Sequence, residues 1–326
     1  MDKIQLCDPN ERILKHMNNK INILITAGGT REPIDNVRDI TNKSSGKLGK
    51  IICEKFLEIA DFDIKTIFYI HGKNAVLPRK QSCIRFIPVE STTDLKNAID
   101  DITAENHIDI IIHAMAVSDY TTHCITTLDM LTQSLLSIVA GTVENLGRST
   151  NLCDYIKDYA SIKDTKISSM LENPCIVLKK TPKIISTLRK KAPNACIVGF
   201  KLLDNVPTET LIEAGHHLLE TNDLDFVLAN DLSSIKNGMH TGYLINKDKT
   251  YTKNFDKYEI AENIVITCMT KAQKNFVDLR CKCGLTGCVL EPAYIKKHYP
   301  KWYEDLGCPT TCKSCDHGEN YDDEDK

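Results

Sequence analysis

The sequence predicts an α/β fold: a Rossmann-like, doubly wound and mostly parallel sheet with a small hairpin addition, followed by a small Cys-rich C-terminal segment. Three observations predict it. Apolar runs of strand length alternate with helical patterns between residues 21 and 273. The run at 108–114, IDIIIHA, is nearly continuous, as in a strand buried on both faces. A loop rich in Gly and Ser joins the first strand to the first helix.

The first strand opens the segment 22–49, which reads NILITAGGTREPIDNVRDITNKSSGKLG. The helix that follows carries apolar residues at three- and four-residue spacing, namely Leu48, Ile51, Ile52, Phe56 and Ile59. Residues 64–70 and 84–89 are the next two predicted strands, and a helix capped by Ser91 or Thr93 precedes the central strand at 108–114.

Residues 121–165 interrupt the alternation with an apolar helical piece and a polar piece that shows no clear strand. We interpret them as an insertion that forms a lid or a dimer contact, with a passive surface embellishment as the alternative. The alternation then resumes with strand 175–178, helix 182–190, strand 195–201, helix 208–220, strand 226–229, a hairpin of 241–245 and 250–253, and a helix at 257–271.

Composition excludes several classes of protein. The formal net charge of −3 over 326 residues argues against nucleic acid as the main partner. No apolar run has the length of a membrane span, and the polar lead-in at 1–20 is charged where a signal peptide would be apolar. Cysteines next to Ile or Val resemble small core residues, namely Cys53, Cys175, Cys196 and Cys268. We therefore expect a soluble protein of a reducing, cytoplasmic compartment that does not bind membranes.

The loop before the first helix has the chemistry of an anion site. A helix N-terminus carries roughly half a positive charge and unpaired N–H groups. Ser44 and Ser45 add hydroxyl donors, and Gly46 and Gly49 let a ligand approach the backbone. Neither G-x-x-x-x-G-K-[ST] nor G-x-G-x-x-G is present. The loop predicts a nucleotide or phosphate site, and a structural glycine-rich turn is the alternative.

Four predicted strands end in polar signatures: AGGT at 27–30, AMAVSDY at 114–120, GFK at 199–201 and ANDLS at 229–233. Parallel sheets bind ligands at the carboxyl ends of their strands. We therefore expect these four segments to line one crevice. Asp119 could instead cap a helix, and Phe200 could be a core aromatic.

Taken together, TAGGTREPIDNVRDITNKSSGKLG, AMAVSDY, KISS, LKKTPKII, GFKLL and ANDLS resemble, in this order, the motifs of phosphopantothenate-cysteine ligases. The resemblance covers residues 21–272 and is strongest to the stand-alone bacterial form without a decarboxylase domain. It implies a two-step reaction of coenzyme A biosynthesis. The carboxylate of 4′-phosphopantothenate forms an acyl-nucleotide with release of pyrophosphate, and the amine of L-cysteine then displaces CMP or AMP.

The resemblance also implies the site. Nucleotide contacts would come from Gly28, Ser44, Gly46, Gly49, Phe200 and Asn230, and phosphopantothenate contacts from Asn42, Met115, Ala116 and Asp119. Lys166 would serve acyl-nucleotide formation, and Asn42 would stabilise the intermediate for attack by cysteine. Arg38 would reach the neighbouring subunit's site, because members of this family are homodimers. Mg²⁺ would bridge triphosphate oxygens.

This sequence departs from the family pattern in three places. Met115 stands where alanine is usual, and the common KIKK is KISS here, at 166–169. The helix LIEAGHHLLETND lacks the lysines with which relatives face the nucleotide. The choice between CTP and ATP therefore stays open, and we favour CTP.

The tail at 274–326 carries six cysteines in the pattern C-x-C-x4-C-x19-C-x3-C-x2-C and ends in an acidic stretch that we expect to be disordered. Short-spaced thiolates in a reducing compartment predict structural Zn²⁺, bound by Cys283, Cys288, Cys312 and Cys315. An ordinary cysteine-rich tail is the alternative.

Two other functions compete with an active ligase. A dinucleotide or nucleotide-sugar enzyme on the same fold is disfavoured, because G-x-G-x-x-G is missing and no acidic residue stands at the ribose position after the second strand. A non-enzymatic, zinc-dependent adaptor on a decayed ligase scaffold is motivated by the cysteine-rich tail and by the missing lysines.

Overall fold

A computed structural model of the chain describes residues 20–58, 64–140, 152–235 and 240–282, except for the side chains of residue 159 and of residues 273–282. The strands in this part of the chain are β1 Ile21–Ala27, β2 Arg31–Pro33, β3 Asp39–Thr41, β4 Ile64–Gly72, β5 Ile84–Val89, β6 Ile110–His113, β7 Tyr120–Thr127, β8 Pro174–Lys180, β9 Cys196–Leu203, β10 Phe226–Asp231, β11 Gly242–Asn246 and β12 Tyr251–Asn254. The helices are α1 Lys47–Glu58, α2 Thr92–Glu105, α3 Leu128–Val139, α4 Leu152–Tyr159, α5 Ile185–Lys191, α6 Thr208–Thr221, α7 Leu232–Ile235 and α8 Lys257–Lys282.

Eight strands form one sheet in the order β12-β11-β10-β9-β6-β1-β4-β5. The six strands from β10 to β5 are parallel, and β11 and β12 form the predicted antiparallel hairpin. Numbered along the chain, the parallel strands read 3-2-1-4-5-6 from the β5 edge. This is the strand order of dinucleotide-binding sheets, and it reverses between β1 and β6. A ligand crevice is therefore expected where β1 and β6 end.

The centre of the sheet is buried as the continuous apolar runs predict. Every residue of β1 and of β6 is buried, and Ile23 lies opposite Ile110 in register. Leu95 and Ile99 of α2 and Leu188 of α5 complete the main core cluster against the sheet. Burial on this scale makes β1 and β6 a rigid support for the loops that follow them.

The two helices that follow β1 and β5 begin as their sequences predict. Helix α1 starts at Lys47 and buries Ile52 and Phe56 of the predicted apolar face. Leu48 and Ile51 are half-buried, and Ile59 lies outside the described residues. Ser91 is the N-cap of α2, where its hydroxyl accepts the Asp94 N–H at 3.1 Å and the Asp94 carboxylate accepts the Ser91 N–H at 2.8 Å. This reciprocal pair is a capping box.

The insertion contains a strand that the sequence analysis did not predict. β7 pairs with β8 in a separate two-stranded ribbon, from Tyr120 opposite Lys180 to Thr127 opposite Pro174. No strand was predicted at the start of the insertion, where β7 lies, and the predicted strand at 175–178 exists but lies outside the main sheet. The ribbon is hard to recognise because its two strands are far apart in sequence and one face stays partly open, with Ile176 41% exposed.

Three smaller differences from the prediction concern an additional hairpin and two element ends. A short hairpin of β2 and β3 lies inside the glycine-rich motif, β9 runs past the predicted end to Leu203, and α8 continues to Lys282. The main sheet lies within one compact unit, Asn19–Met269. A second unit includes residues 270–326, and of these residues the structure describes the part of α8 from Thr270 to Lys282. None of the described helices combines the length and apolar character needed to cross a membrane.

The cysteines whose side chains are described form no disulfide with one another. Cys53, Cys196 and Cys268 are fully buried, as predicted, whereas Cys175 is only half-buried. Burial raises the pKa of the Cys53 thiol to about 12. A thiol with such a pKa stays protonated at neutral pH and behaves as a core side chain.

Candidate functional site

The glycines of the first motif pack the loop, β1 and α1 against one another. Gly28 and Gly46 adopt φ values of 86° and 71°, which disfavour any other residue. A Cβ on Gly28 would lie 2.8 Å from the Ala75 Cβ, and one on Gly49 would lie 2.7 Å from the Ala27 Cβ. The helix N-terminus is thus held directly against the end of β1. This packing places the first N–H groups of α1, which can bind an anion, at the carboxyl end of β1.

Gly72 at the end of β4 has the tightest of these approaches. An added Cβ would lie 2.3 Å from the Gly29 carbonyl oxygen, which is backbone and cannot rotate away. We expect Gly72→Ala to lower the free energy of unfolding by about 3 kcal/mol, measured by urea denaturation. The control is Lys73→Ala, which removes an exposed side chain next door and should change stability by less than about 0.5 kcal/mol. Equal stability of the two variants would contradict the assigned packing role.

The ends of β1 and β6 meet at the carbonyl of Ala116. The Asn42 Nδ2 donates to this oxygen at 3.1 Å, and the Thr30 N–H donates to it at 3.2 Å. The Ala116 N–H in turn donates to the Gly28 carbonyl at 2.8 Å. These bonds fix the amide nitrogen of Asn42 towards Ala116 and leave its exposed side chain open to a ligand. Gly28 and Asn42 of the first motif are thus brought together with Ala116 of the motif AMAVSDY.

A second contact joins the loop between β2 and β3 to the segment that contains Lys166. The buried carboxylate of Asp35 accepts the N–H groups of Val37 and Arg38 at 2.8 Å and that of Ile167 at 3.1 Å. The Asn36 N–H donates to the Thr165 carbonyl at 3.0 Å. Donation by Ile167 and Val37 holds the pKa of Asp35 below its ordinary value. These bonds fix the backbone on both sides of Lys166.

The two basic residues of this region are both accessible. Lys166 is exposed. The Arg38 guanidinium, 45% exposed, lies 3.6 Å from the Asp35 carboxylate and donates to the Ile167 carbonyl at 3.4 Å. The structure thus places the predicted Arg38 and Lys166 in adjoining loops of the same chain.

Asp119 lies at the end of the loop that follows β6. Its side chain is exposed and forms an ion pair with Lys183, and its carbonyl accepts the Thr181 N–H at 3.0 Å. Met115, in the same loop, is 6% exposed. The loop therefore has a buried end at Met115 and a charged end at Asp119.

Phe200 and Asn230 occupy neighbouring strands on the far side of β6 from β1. β6 pairs with β9 only as far as Val198, so the half-buried Phe200 projects beyond the end of β6 while still paired with β10. The Asn230 Nδ2 donates to the Thr241 carbonyl at 3.2 Å. This bond connects β10 to the segment before β11 and gives Asn230 a structural partner. The described hydrogen bonds do not join these two residues to Asn42.

The four predicted metal ligands belong to the cysteine-rich tail. Cys283, Cys288, Cys312 and Cys315 lie outside the described residues, so zinc binding stays a prediction. Within the described ranges, no group of three or more His, Cys, Asp or Glu side chains is arranged to hold a metal ion.

The family model described as DNA/pantothenate metabolism flavoprotein C-terminal domain matches residues 18–135 and 148–271, which is more than half of the chain. The chain belongs to this family. The match covers the sheet and most of the insertion, and it includes every candidate site residue outside the cysteine-rich tail.

The chain is similar to several known proteins and solved structures. The coenzyme A biosynthesis bifunctional protein CoaBC of Thermococcus kodakarensis is 29% identical over 244 residues, which cover 74% of this chain and 49% of that protein. The chain thus spans about half the length of the curated relatives it matches. The crystal structure of the DNA/pantothenate metabolism flavoprotein from Streptococcus pneumoniae is 32% identical with a TM-score of 0.64, covering 77% of this chain and 99% of that chain. A Cab2 variant solved with phosphopantothenate-cysteine shares the fold at 16% identity and a TM-score of 0.55, covering 83% and 95%.

Sequence reasoning missed several residues that shape the crevice of this family member. Asp35, Lys183 and the hydroxyl pair of Thr30 and Ser118 were not among the candidates. Asp35 had a local signal, because an Asp at the start of a tight loop commonly accepts hydrogen bonds from the backbone N–H groups that follow it. The partners of Lys183 and Ser118 come from distant segments, which a single sequence does not reveal.

His113 is a buried residue of β6 next to the crevice. Burial lowers its pKa to about 4, against an ordinary value of 6.5. Because the folded pKa is the lower one, the unfolded chain takes up the proton first, and stability falls as the pH drops from about 6.5 to 4. We expect His113 to account for a loss of about 3 kcal/mol over this range.

Urea denaturation of wild type and His113→Asn at pH 7, 5.5 and 4.5 measures this effect. The slope of stability against pH should be shallower in the variant. His240, whose pKa burial also lowers to about 4, keeps its contribution in both proteins and so cancels in the comparison. Identical slopes would show that His113 does not resist protonation in the folded protein.

Proposed function

We propose that this chain is a phosphopantothenate-cysteine ligase, which condenses 4′-phosphopantothenate with L-cysteine through an acyl-nucleotide. The observation that carries the proposal is the juxtaposition of Asn42, Ala116 and the glycine corner where the strand order reverses. This is where a doubly wound sheet binds its ligands. A polar amide and a helix N-terminus meet there, and the loop that carries Lys166 is bonded to the tip of the β2–β3 hairpin, which ends directly before Asn42. An amide, a helix N-terminus and a lysine are groups that acyl activation requires.

The relatives support the same reaction. The relative from Thermococcus kodakarensis is named as a coenzyme A biosynthesis protein, and the Cab2 variant was solved with phosphopantothenate-cysteine, which is the product of this condensation. The family match at 18–135 and 148–271 covers most of the described part of the chain.

In the first step, a carboxylate oxygen of phosphopantothenate attacks the α-phosphorus of the nucleotide, and the bond to pyrophosphate breaks. The corner formed by Gly28, Ser44, Gly46 and Gly49 would receive the triphosphate through backbone N–H groups at the start of α1. Lys166, exposed on a loop whose backbone is fixed by Asp35, would offset the charge that develops on the α-phosphate.

In the second step, the cysteine amine attacks the acyl carbon, the bond to the nucleotide oxygen breaks, and the amine loses a proton as the amide forms. Asn42 would stabilise the reacting acyl group, since an amide can donate and accept without titrating. Met115 and Ala116 would contact phosphopantothenate from the loop after β6. The bond from Asn42 to Ala116 would keep this loop and the amide in one fixed arrangement.

Mg²⁺ would neutralise triphosphate charge and hold the phosphate oxygens in place. Asp119, exposed at the edge of the crevice, offers a carboxylate oxygen for it or for the substrate. Phe200 would contact the base, because it projects beyond the end of β6. Asn230, bonded to Thr241, would support the same end of the site.

A homodimer is part of this proposal. The Arg38 side chain is partly exposed and could turn from Asp35 and Ile167 towards a substrate in a second subunit. The β7–β8 ribbon and α3 present exposed apolar side chains that suit a subunit contact, among them Leu136, Val139 and Ile176. A cytoplasmic location would fit this pathway.

The deciding experiment mixes the full chain with 4′-phosphopantothenate, L-cysteine, Mg²⁺ and either CTP or ATP, and measures pyrophosphate. We expect release that depends on phosphopantothenate and is faster with CTP. Omitting cysteine should limit release to about one turnover. Folded protein that releases no pyrophosphate with either nucleotide would contradict the ligase proposal and favour the zinc-dependent adaptor.

A further inference from the structure

A polar pair is buried directly beneath the loop that follows β6. Thr26 and His113 lie opposite each other in the register of β1 and β6. Thr26 is fully buried and His113 is 5% exposed, and the Thr26 Oγ1 lies 3.0 Å from the His113 Nδ1. The residues that flank Thr26, Ile25 and Ala27, are fully buried and apolar. Thr26 thus places a hydroxyl among fully buried apolar neighbours.

The hydroxyl has two partners, and both belong to the segment at the end of β6. The Met115 N–H donates to the Thr26 Oγ1 at 3.2 Å, so the hydroxyl proton is available for the His113 Nδ1. Burial favours the neutral imidazole by lowering the pKa of His113, and in the tautomer with its proton on Nε2 the Nδ1 accepts the hydroxyl proton. The hydroxyl therefore joins the last residue of β6 to the backbone of the loop.

From Met115 the connection to Asn42 is one residue long. Ala116 follows directly, and its carbonyl accepts the Asn42 Nδ2 at 3.1 Å. A shift of the Met115 backbone would move this carbonyl and with it the amide. The Ala116 carbonyl also accepts the Thr30 N–H, so two donors depend on the position of this one oxygen.

We propose that Thr26 and His113 are positioning residues, which fix the Met115–Ala116 backbone and through the Ala116 carbonyl orient the amide of Asn42. This inference rests on the proposed function, in which Asn42 stabilises the acyl group for attack by cysteine. Neither residue contacts the substrates. Their effect reaches the reaction only through Asn42.

The test compares Thr26→Val, which keeps the shape and removes the hydroxyl, with Thr26→Ser, which keeps the hydroxyl. Acyl-nucleotide is formed first and then chased with cysteine, so that amide formation is timed separately. We expect Thr26→Val to slow amide formation about tenfold, the effect of one lost hydrogen bond, and Thr26→Ser to stay within about twofold of wild type. In an Asn42→Ala background, Thr26→Val should add less than about twofold.

A second measurement needs no turnover. The side-chain NH2 resonances of Asn42, assigned by their absence in Asn42→Ala, should shift in Thr26→Val and not in Thr26→Ser. If Thr26→Val does not fold, judged by circular dichroism, Thr26→Cys replaces it in both measurements. A wild-type protein without pyrophosphate release would refute the proposed function, and the resonances would still decide whether the pair orients Asn42.

Two results would overturn the inference. Amide formation and Asn42 resonances that are unchanged in Thr26→Val would show that the hydroxyl positions nothing. If Thr26→Val slows amide formation by the same factor in the Asn42→Ala background as in wild type, the pair acts by a route other than Asn42.

Discussion

Asn42→Asp is expected to lower the overall rate of amide formation about 100-fold while acyl-nucleotide accumulates. The reason is the single hydrogen bond from the Asn42 Nδ2 to the Ala116 carbonyl. A carboxylate cannot donate this bond, and its charge would face the carbonyl oxygen. The side chain would turn away, and the acyl group would lose its stabilising donor. Chromatography of quenched reactions distinguishes acyl-nucleotide from the amide product.

The matched control is Asn97→Asp, the same chemical change on the exposed face of α2. It should leave both steps within about twofold of wild type. If Asn42→Asp forms amide at an undiminished rate, Asn42 has been misassigned. A variant that also loses pyrophosphate release in proportion would assign Asn42 to the first step instead.

The main sheet could be predicted because burial on both faces leaves a strong pattern. Residues 108–114 read as a continuous apolar run, and the observed strand, Ile110–His113, lies inside it, fully buried. β7 left no such pattern, since its residues from Tyr120 to His123 are exposed or half-buried and its partner lies beyond two helices. Pairing between segments distant in sequence depends on tertiary contacts that local periodicity does not carry.

The site was predictable at the level of motifs and not of contacts. The motif 22–49 indicates an anion-binding corner, yet the structure adds a packing reason for Gly28 and Gly46 that is independent of any ligand. Asp35 shows the limit more clearly. Its carboxylate is buried by a loop some 130 residues away, at Ile167, and nothing local in either segment indicates that contact.

These contacts divide the crevice into two supports with different tasks. Asn42 is fixed by the loop after β6, which rests on the rigid core of the sheet. Lys166 is fixed by Asp35 and Asn36, which belong to an exposed hairpin loop. Because the supports share no described hydrogen bond, the two steps of the proposed reaction should respond separately to substitution.

Lys166→Gln is expected to slow pyrophosphate release about 100-fold, because glutamine keeps a polar side chain and loses the charge that opposes the α-phosphate. The Lys166 side chain is exposed, while the flanking Thr165 carbonyl and Ile167 N–H are held by Asn36 and Asp35. The substitution should therefore leave the fold intact. Rapid-quench measurement of pyrophosphate without cysteine isolates the first step.

Lys163→Gln is the matched control, since Lys163 is an exposed lysine of the same segment whose Nζ donates to the Lys157 carbonyl at 2.8 Å. It should change the first step by less than about twofold. An equal loss in both variants would mean that the segment contributes only diffuse positive charge. If instead Lys166→Gln forms acyl-nucleotide normally and fails only after cysteine is added, Lys166 acts beside Asn42, and the separation of the two supports is wrong.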